Sequence, residues 1–165
     1  MSIGKHESPR AITTTWLTPP HVLAELGPFD FDPCAAPEPR PWSTARRMNS
    51  EADGLALPWQ GRVWLNPPYT SADLGKWLAR MADHDHGTAL IFARTETRAF
   101  HAYVWQRASA LLFLAGRLRF YDAAGVPGAG NAGAPSVLCA YGEADASRLA
   151  TCAIPGAFVR LEDFK

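Results

Sequence analysis

Short apolar runs separated by polar turns recur along the chain, and six of them predict β-strands. The clearest is Val63-Trp64-Leu65, a continuous apolar run that ends at two prolines. Proline cannot donate to a sheet ladder, so the strand must stop there. The predicted strands are residues 29–32, 62–65, 88–92, 111–114, 137–141 and 158–161.

Three segments outside these strands predict helices. The first is expected to have Thr18 as its N-cap and Pro19 as its first residue, and to end at Gly27. The second is expected to start with Ser71 as its cap, and the third opens with residues 94–97. Their apolar residues recur every three or four positions, as on the buried face of a helix. These residues are Val22, Leu23 and Leu26 in the first helix, Leu74, Trp77, Leu78 and Met81 in the second, and Phe100 and Val104 in the third.

Strands alternating with helices favour an α/β fold with helices on both faces of the sheet. Residues 33–48 contain four prolines and are predicted to form a loop, and residues 49–61 are predicted to be irregular. Residues 122–135 hold four glycines and are expected to be mobile. Residues 1–12 are polar and aperiodic, which indicates a flexible arm. With no repeat or linker, residues 1–165 are predicted to form a single domain.

The composition is that of an ordinary soluble globule, with 47% hydrophobic and 19% charged residues. No apolar stretch approaches the ~20 residues of a membrane span, and the N-terminus has no signal-peptide core. We therefore expect a cytoplasmic protein, in a bacterium or a phage-infected cell, without a membrane partner. The net charge of +0 argues against a non-specific polyanion binder. Arginine supplies 13 of the 16 basic residues, however, and it suits bidentate phosphate and base contacts.

The sequence does not predict a metal site. The three cysteines, Cys34, Cys139 and Cys152, form no Cys-x-x-Cys pair and are interpreted as free thiols. His84-Asp85-His86 lies beside Gly87 at a predicted helix end, so we interpret it as a solvated turn.

The most informative motif is Asn66-Pro67-Pro68-Tyr69, directly after the predicted strand 62–65. In open α/β sheets, ligands bind at the carboxyl ends of the strands. The motif presents a carboxamide, stiff backbone carbonyls and a flat ring, which suit a planar molecule with an amino group. The alternative is an ordinary Pro-Pro turn with a half-buried tyrosine.

Two aspartates accompany this motif. Asp32 ends the predicted strand 29–32, and the small residues after it would let a ligand approach the backbone closely. Its carboxylate could hold an ammonium group or a ribose hydroxyl. Asp53 precedes Gly54. Asp-Pro and Asp-Gly are also common turn signals, so a purely structural role stays open for both residues.

Together these motifs resemble a known family. Asn66-Pro67-Pro68-Tyr69 is similar to the catalytic motif of amino-group methyltransferases that use S-adenosylmethionine. The further matches resemble the compact adenine-N6 DNA methyltransferases of phages and prophages, the Dam-like group. The resemblance covers roughly residues 14–141 and implies a compact Rossmann-like methyltransferase sheet. The further matches are Trp16-x-Thr18-Pro19, Phe29-x-Phe31-Asp32-Pro33, Asp53-Gly54-Leu55 and Gly116-Arg117-x-x-Phe120.

The resemblance implies methyl transfer from S-adenosylmethionine to the N6 amino group of adenine in DNA, with the target base flipped out or single-stranded. It implies that the Asn66 side-chain oxygen and the Pro67 carbonyl accept hydrogen bonds from that amino group, and that Tyr69 stacks on the base. Pro68 completes the catalytic motif. The donor-binding residues that it implies are Trp16, Thr18, Pro19, Asp32, Pro33, Cys34, Ala35 and Asp53.

Mixed basic and aromatic groups indicate DNA contacts, although each could be an ordinary surface residue. Target specificity is expected to be short or relaxed, and a homodimer could supply further recognition. Other substrates stay open, namely cytosine N4, RNA adenine and protein glutamine. So do a catalytically silent nucleic-acid-binding protein and an unrelated α/β domain. The predicted DNA-binding residues are Arg40, Trp42, Arg46, Arg47, Arg94 and Arg117.

Overall fold

A seven-stranded mixed sheet forms the centre of the protein in the computed structural model, which describes residues 15–51, 53–69 and 71–161. The spatial order of the strands is β2-β1-β3-β4-β6-β5-β7. The strands are β1 (Phe31–Asp32), β2 (Arg47–Met48), β3 (Val63–Leu65), β4 (Gly87–Phe92), β5 (Ala110–Leu114), β6 (Ser136–Tyr141) and β7 (Gly156–Arg160).

The strand directions bring most carboxyl ends to a single edge of the sheet. β1 pairs parallel with β2 and β3, and β3 pairs parallel with β4. β6 is antiparallel to both β4 and β5, so β5 runs in the same direction as β4. β7 completes the sheet antiparallel to β5. The segments that follow the first five strands therefore start from the same edge, where ligands bind in sheets of this kind.

Helices pack on both faces of the sheet, as the sequence predicts. On one face, Val63 and Leu65 belong to a buried cluster with Leu78 and Met81 of the long helix. On the other, Trp64 belongs to a separate cluster with the first and last helices. The helices are α1 (Pro20–Leu26), α2 (Ser71–His84), α3 (Arg98–Phe100), which continues as a π-helical turn (His101–Trp105), and α4 (Glu143–Thr151).

The start of α1 differs from the prediction. The helix ends at Gly27 as expected, but it begins at Pro20, with Pro19 in the N-cap position. Thr18 is therefore not the N-cap. The second proline lacks the N–H that a cap at Thr18 would bind at the second helical position. Released from capping, the Thr18 hydroxyl accepts a hydrogen bond from Asn66.

Two elements are absent from the sequence prediction. β2 lies within residues 33–48, which were predicted to be a loop, because a two-residue strand has no periodicity and depends on pairing with β1. α4 was also missed. Its buried face includes the carboxylate of Asp145 beside Ala146 and Leu149, so its apolar pattern is weak.

The other predicted strands are present, with ends shifted by one or two residues. Ser71 is the first residue of α2 rather than its cap, and the third helix begins only at Arg98, with Thr97 of the predicted 94–97 segment as its N-cap. Residues 122–135 contain no helix or strand, and their mobility stays a prediction. The predicted arm, residues 1–12, lies outside the described residues. No helix in the described ranges is long and apolar enough to cross a membrane. The same ranges contain no metal-binding group of three His, Cys, Asp or Glu side chains.

Candidate active site

The ends of β1 and β3 open into one cavity of about 210 Å³. The two strands are parallel neighbours, so Asp32 and Asn66 lie at the same edge of the sheet. The cavity therefore unites the two motifs that the sequence indicates independently. Its lining consists of Thr15, Trp16, Leu17, Thr18, Asp32, Cys34, Ala35, Ala36, Pro37, Arg40, Trp42, Thr44, Trp64, Asn66, Pro67, Pro68 and Tyr69.

Asp32 is a buried carboxylate, with 3% of its surface exposed. One oxygen accepts a hydrogen bond from the Cys34 backbone N–H (3.0 Å), and the other accepts a hydrogen bond from the Thr44 hydroxyl. Burial raises the pKa of Asp32 from 3.8 to about 6, although these hydrogen bonds and the charge of Arg40 oppose the increase. The carboxylate is therefore mostly ionised at pH 7 but costs stability.

Asp32→Asn is expected to raise the free energy of unfolding at pH 7 by roughly 1–3 kcal/mol, because it removes a buried charge. The amide can still accept from the Cys34 N–H and donate to Thr44. The unfolded chain ionises near pH 4 and the folded chain near pH 6. The wild type therefore loses stability as pH rises through this window, and the difference between the two proteins should grow from pH 4 to 6 and then stay constant.

Urea unfolding of both proteins between pH 4 and 8 measures this difference. Asp83→Asn is the control, because the Asp83 side chain is 68% exposed, and it should change stability by less than about 0.5 kcal/mol. A destabilised Asp32→Asn protein at pH 7, or a difference that does not depend on pH, would contradict the prediction.

The turn after β1 links the two motifs directly. The Cys34 thiol donates to the Asn66 backbone carbonyl, with 3.4 Å between sulfur and oxygen, and burial raises the pKa of this thiol. The Ala35 N–H donates to the Asn49 carbonyl (2.8 Å) at the end of β2. The Cys34 thiol and the Ala35 N–H thus hold this turn against its neighbours, and the small side chains of Ala35 and Ala36 leave space in the cavity.

The Asn66 side chain is held at both ends. Its Nδ2 donates to Thr18 Oγ1 (3.2 Å), and its Oδ1 accepts from the Tyr69 hydroxyl (2.9 Å). A carbonyl oxygen has two lone pairs, so Asn66 Oδ1 can still accept one more hydrogen bond.

Tyr69 forms a fixed aromatic wall. Its ring stacks on Phe92, with 4.3 Å between centroids and 13° between planes. Its hydroxyl lies within hydrogen-bond distance of Leu90 O (3.2 Å) as well as Asn66 Oδ1. Burial raises the pKa of Tyr69, so the hydroxyl remains a neutral donor at physiological pH.

Two tryptophans form the aromatic rim of the cavity. The Trp42 indole N–H donates to Thr18 O (3.2 Å), and its ring meets Tyr121 edge to face. Trp16 is 38% exposed, which leaves much of its ring accessible. A Cβ on Gly128 would lie 3.1 Å from Trp16, so part of the glycine-rich segment 122–135 lies close beside this rim.

Three of the predicted donor-binding residues lie outside the lining: Pro19, Pro33 and Asp53. Asp53 is nevertheless close to the turn after β1, because a Cβ on Gly54 would lie 1.9 Å from the Pro33 carbonyl oxygen. Only glycine permits this approach. Asn49 Nδ2 bridges the same two segments by donating to Pro33 O and to Asp53 Oδ1 (both 3.3 Å).

The predicted DNA-binding residues divide into two groups. Arg40 and Trp42 line the cavity itself. The other four lie outside it. Arg46 is exposed beside Asp30, and Arg47 packs over Phe31 and donates to Pro58 O. Arg94 follows β4 and Arg117 follows β5; both are exposed on the edge that carries the cavity.

Thr44 is the main site residue that sequence reasoning missed. It comes from the segment predicted as a loop, and its hydroxyl binds the Asp32 carboxylate. A lone threonine twelve positions from its partner carries no sequence signal. Thr15, Leu17, Ala36, Pro37 and Trp64 also line the cavity without having been predicted as site residues.

A mixed α/β sheet with a buried aspartate at the end of one strand and Asn-Pro-Pro-Tyr after its neighbour matches the expectation for an amino-group methyltransferase. The family model of DNA N-6-adenine-methyltransferase (Dam) matches residues 5–149, and the chain belongs to this family. This match confirms the resemblance that the motifs indicate.

A relative from Escherichia phage T1, a DNA N-6-adenine-methyltransferase, is 25% identical over 65% of this chain and 47% of its own length. The chain therefore aligns with about half of that relative. No solved structure matches the chain.

Proposed function

We propose that this chain transfers a methyl group from S-adenosylmethionine to the N6 amino group of adenine in DNA. Membership of the Dam family and the similarity to the phage T1 enzyme support this reaction. The structural observation that carries it is the single cavity shared by Asp32 and the Asn66–Tyr69 turn. A methyl donor bound at the end of β1 would lie beside a methyl acceptor bound at the end of β3, within a compact Rossmann-like methyltransferase domain.

The residues of the cavity fit the amino-acid end of the donor. Asp32 offers a buried carboxylate to an ammonium group, and both of its oxygens keep a free lone pair. Trp16, Cys34 and Ala35 provide apolar surface and close backbone approach. The volume is below the roughly 300–1,000 Å³ of a typical small-molecule site. The adenosine half would therefore extend beyond it, towards the turn that holds Asp53.

Asn66 and Pro67 would activate the adenine nitrogen. When bound, S-adenosylmethionine supplies a methyl group already activated by its sulfonium. The lone pair of the adenine amino group is delocalised into the ring, which makes the nitrogen a poor nucleophile. Acceptance of its two hydrogens by Asn66 Oδ1 and the Pro67 carbonyl favours a pyramidal nitrogen and stabilises the positive charge that develops. Thr18 and Tyr69 hold the Asn66 amide in the required orientation.

The rigid Tyr69 ring would stack on the target base. Phe92 supports it from behind, so little side-chain entropy is lost when a base arrives. A base within a duplex cannot reach this cavity, so the adenine must be flipped out or single-stranded. Arg46, Arg47, Arg94 and Arg117 are the outer candidates for contacts with the DNA backbone, and a homodimer remains part of this proposal.

Transfer of labelled methyl from S-adenosylmethionine to unmethylated plasmid DNA, followed by nucleoside analysis, tests the function. The label is expected in N6-methyladenine. Label in N4-methylcytosine, or transfer only to RNA or to protein glutamine, would show that the proposed substrate is wrong but that the proposed methyl transfer to an amino group is right. Donor binding without transfer to any of these would favour a silent nucleic-acid-binding protein, and absence of donor binding would contradict the proposal altogether.

A further inference from the structure

Arg40 is an arginine enclosed in the wall of the cavity. Only 9% of its side chain is exposed, and it lines the same cavity as Asp32. An exposed arginine suits contact with a DNA phosphate, as Arg46 would with a side chain that is 76% exposed. Enclosure of Arg40 instead directs its charge towards a small molecule inside the cavity.

The guanidinium of Arg40 has one ion pair and one weak hydrogen bond with its protein partners. Its Nε lies 2.9 Å from Glu38 Oε1 but is not aligned for a hydrogen bond, and the Glu38 side chain is 67% exposed. Nη1 donates to the sulfur of Met48, which is a weak acceptor. No acceptor among the described residues binds Nη2. The planar fork therefore retains donors for an external carboxylate.

Arg40 and Asp32 place opposite charges in one cavity. The two interact, since the positive charge of Arg40 helps to stabilise the Asp32 carboxylate. The amino-acid end of the donor carries one ammonium and one carboxylate. The carboxylate of the donor would be repelled by Asp32 and attracted by Arg40, so only one orientation satisfies both charges.

We propose that Arg40 binds the carboxylate of the amino-acid end of the methyl donor, rather than a DNA phosphate. This assignment rests on the proposed function, because it takes S-adenosylmethionine as the donor. Together, Arg40 and Asp32 recognise a zwitterion, which makes the cavity selective for ligands that carry an intact α-amino acid.

Calorimetric titration of the full chain, without DNA, with S-adenosylmethionine and with decarboxylated S-adenosylmethionine tests the assignment. The wild type is expected to bind the decarboxylated compound roughly 10- to 100-fold more weakly. Arg40→Gln should lose a similar factor for the intact donor and bind both compounds about equally. Arg40→Lys keeps the positive charge but lacks the planar guanidinium, so it should recover part of the preference for the intact donor over the decarboxylated compound. Arg148→Gln, the same change outside the cavity lining, should behave as the wild type.

The outcomes separate this inference from the proposed function. Equal binding of the two compounds by the wild type overturns the role of Arg40 without any variant, so a misfolded Arg40→Gln protein cannot obscure the result. The role of Arg40 is also overturned if a folded Arg40→Gln protein prefers S-adenosylmethionine to the decarboxylated compound by the same factor as the wild type. That result would leave the proposed binding of S-adenosylmethionine unaffected. A wild type that binds neither compound contradicts the proposed function.

Discussion

Asn66→Ala is expected to reduce the rate of methyl transfer at least 10²- to 10³-fold while changing donor affinity by no more than a few fold. The lost amide oxygen stabilises charge that develops only as the adenine nitrogen attacks, so its removal affects kcat more than ground-state binding. Single-turnover transfer to DNA and calorimetric donor binding measure the two quantities separately.

The structure indicates that Asn66→Ala should not displace the neighbouring Tyr69. Tyr69 loses the Asn66 acceptor but keeps Leu90 O for its hydroxyl and Phe92 for its ring, so the aromatic wall should stay in place. Asn131→Ala, the same change at an exposed position, is the matched control and should leave both quantities unchanged. If donor affinity fell to the same degree as the rate, Asn66 would act in donor binding and its assigned role would be wrong.

The sequence predicted the parts of the fold that depend on local patterns. The apolar run before Asn66 and the two prolines after it define the end of β3, and the spacing of Trp77, Leu78 and Met81 defines α2. Gly27 marks the end of α1. Each of these signals lies within a few residues of the feature that it predicts, which is why a single sequence suffices.

Features that depend on distant partners were not predicted. β2 exists because it pairs with β1, and Thr18 turns away from α1 because Asn66, 48 positions later, binds its hydroxyl. Arg40 was predicted to contact DNA because it lies among basic and aromatic residues, and that role stays a prediction. Its position in the wall of the cavity could not be predicted, because composition alone contains no information about how the loop folds.

Arg62→Leu is expected to cost about 3–5 kcal/mol of stability, a large part of the 5–15 kcal/mol that holds a typical domain. The Arg62 guanidinium is buried, with 7% exposed, and contacts Asp145 Oδ1 through Nε (2.8 Å) and Nη2 (2.7 Å). It also donates to the carbonyls of Leu26 and Pro28. Removal of Arg62 leaves the fully buried Asp145 carboxylate with Thr88 as its only hydrogen-bond partner among the described residues.

Urea unfolding of Arg62→Leu and of Arg107→Leu compares a buried ion pair with an exposed one. Arg107 pairs with Asp83, and both side chains are at least 45% exposed, so its loss should cost less than about 1 kcal/mol. A cost for Arg62→Leu as small as that for Arg107→Leu would show that the buried pair does not stabilise the arrangement of α1, β3 and α4.

A second substitution identifies the cause of the loss. If the cost arises from an unpaired buried carboxylate, Arg62→Leu combined with Asp145→Leu should be less destabilised than the sum of the single variants, by 1 kcal/mol or more. Additive costs would instead point to the lost bonds to α1. Arg62 and Asn66 flank opposite ends of β3, so the folded fraction of Arg62→Leu should retain methyl transfer. The two ends of one short strand thus serve different purposes, stability at one end and chemistry at the other.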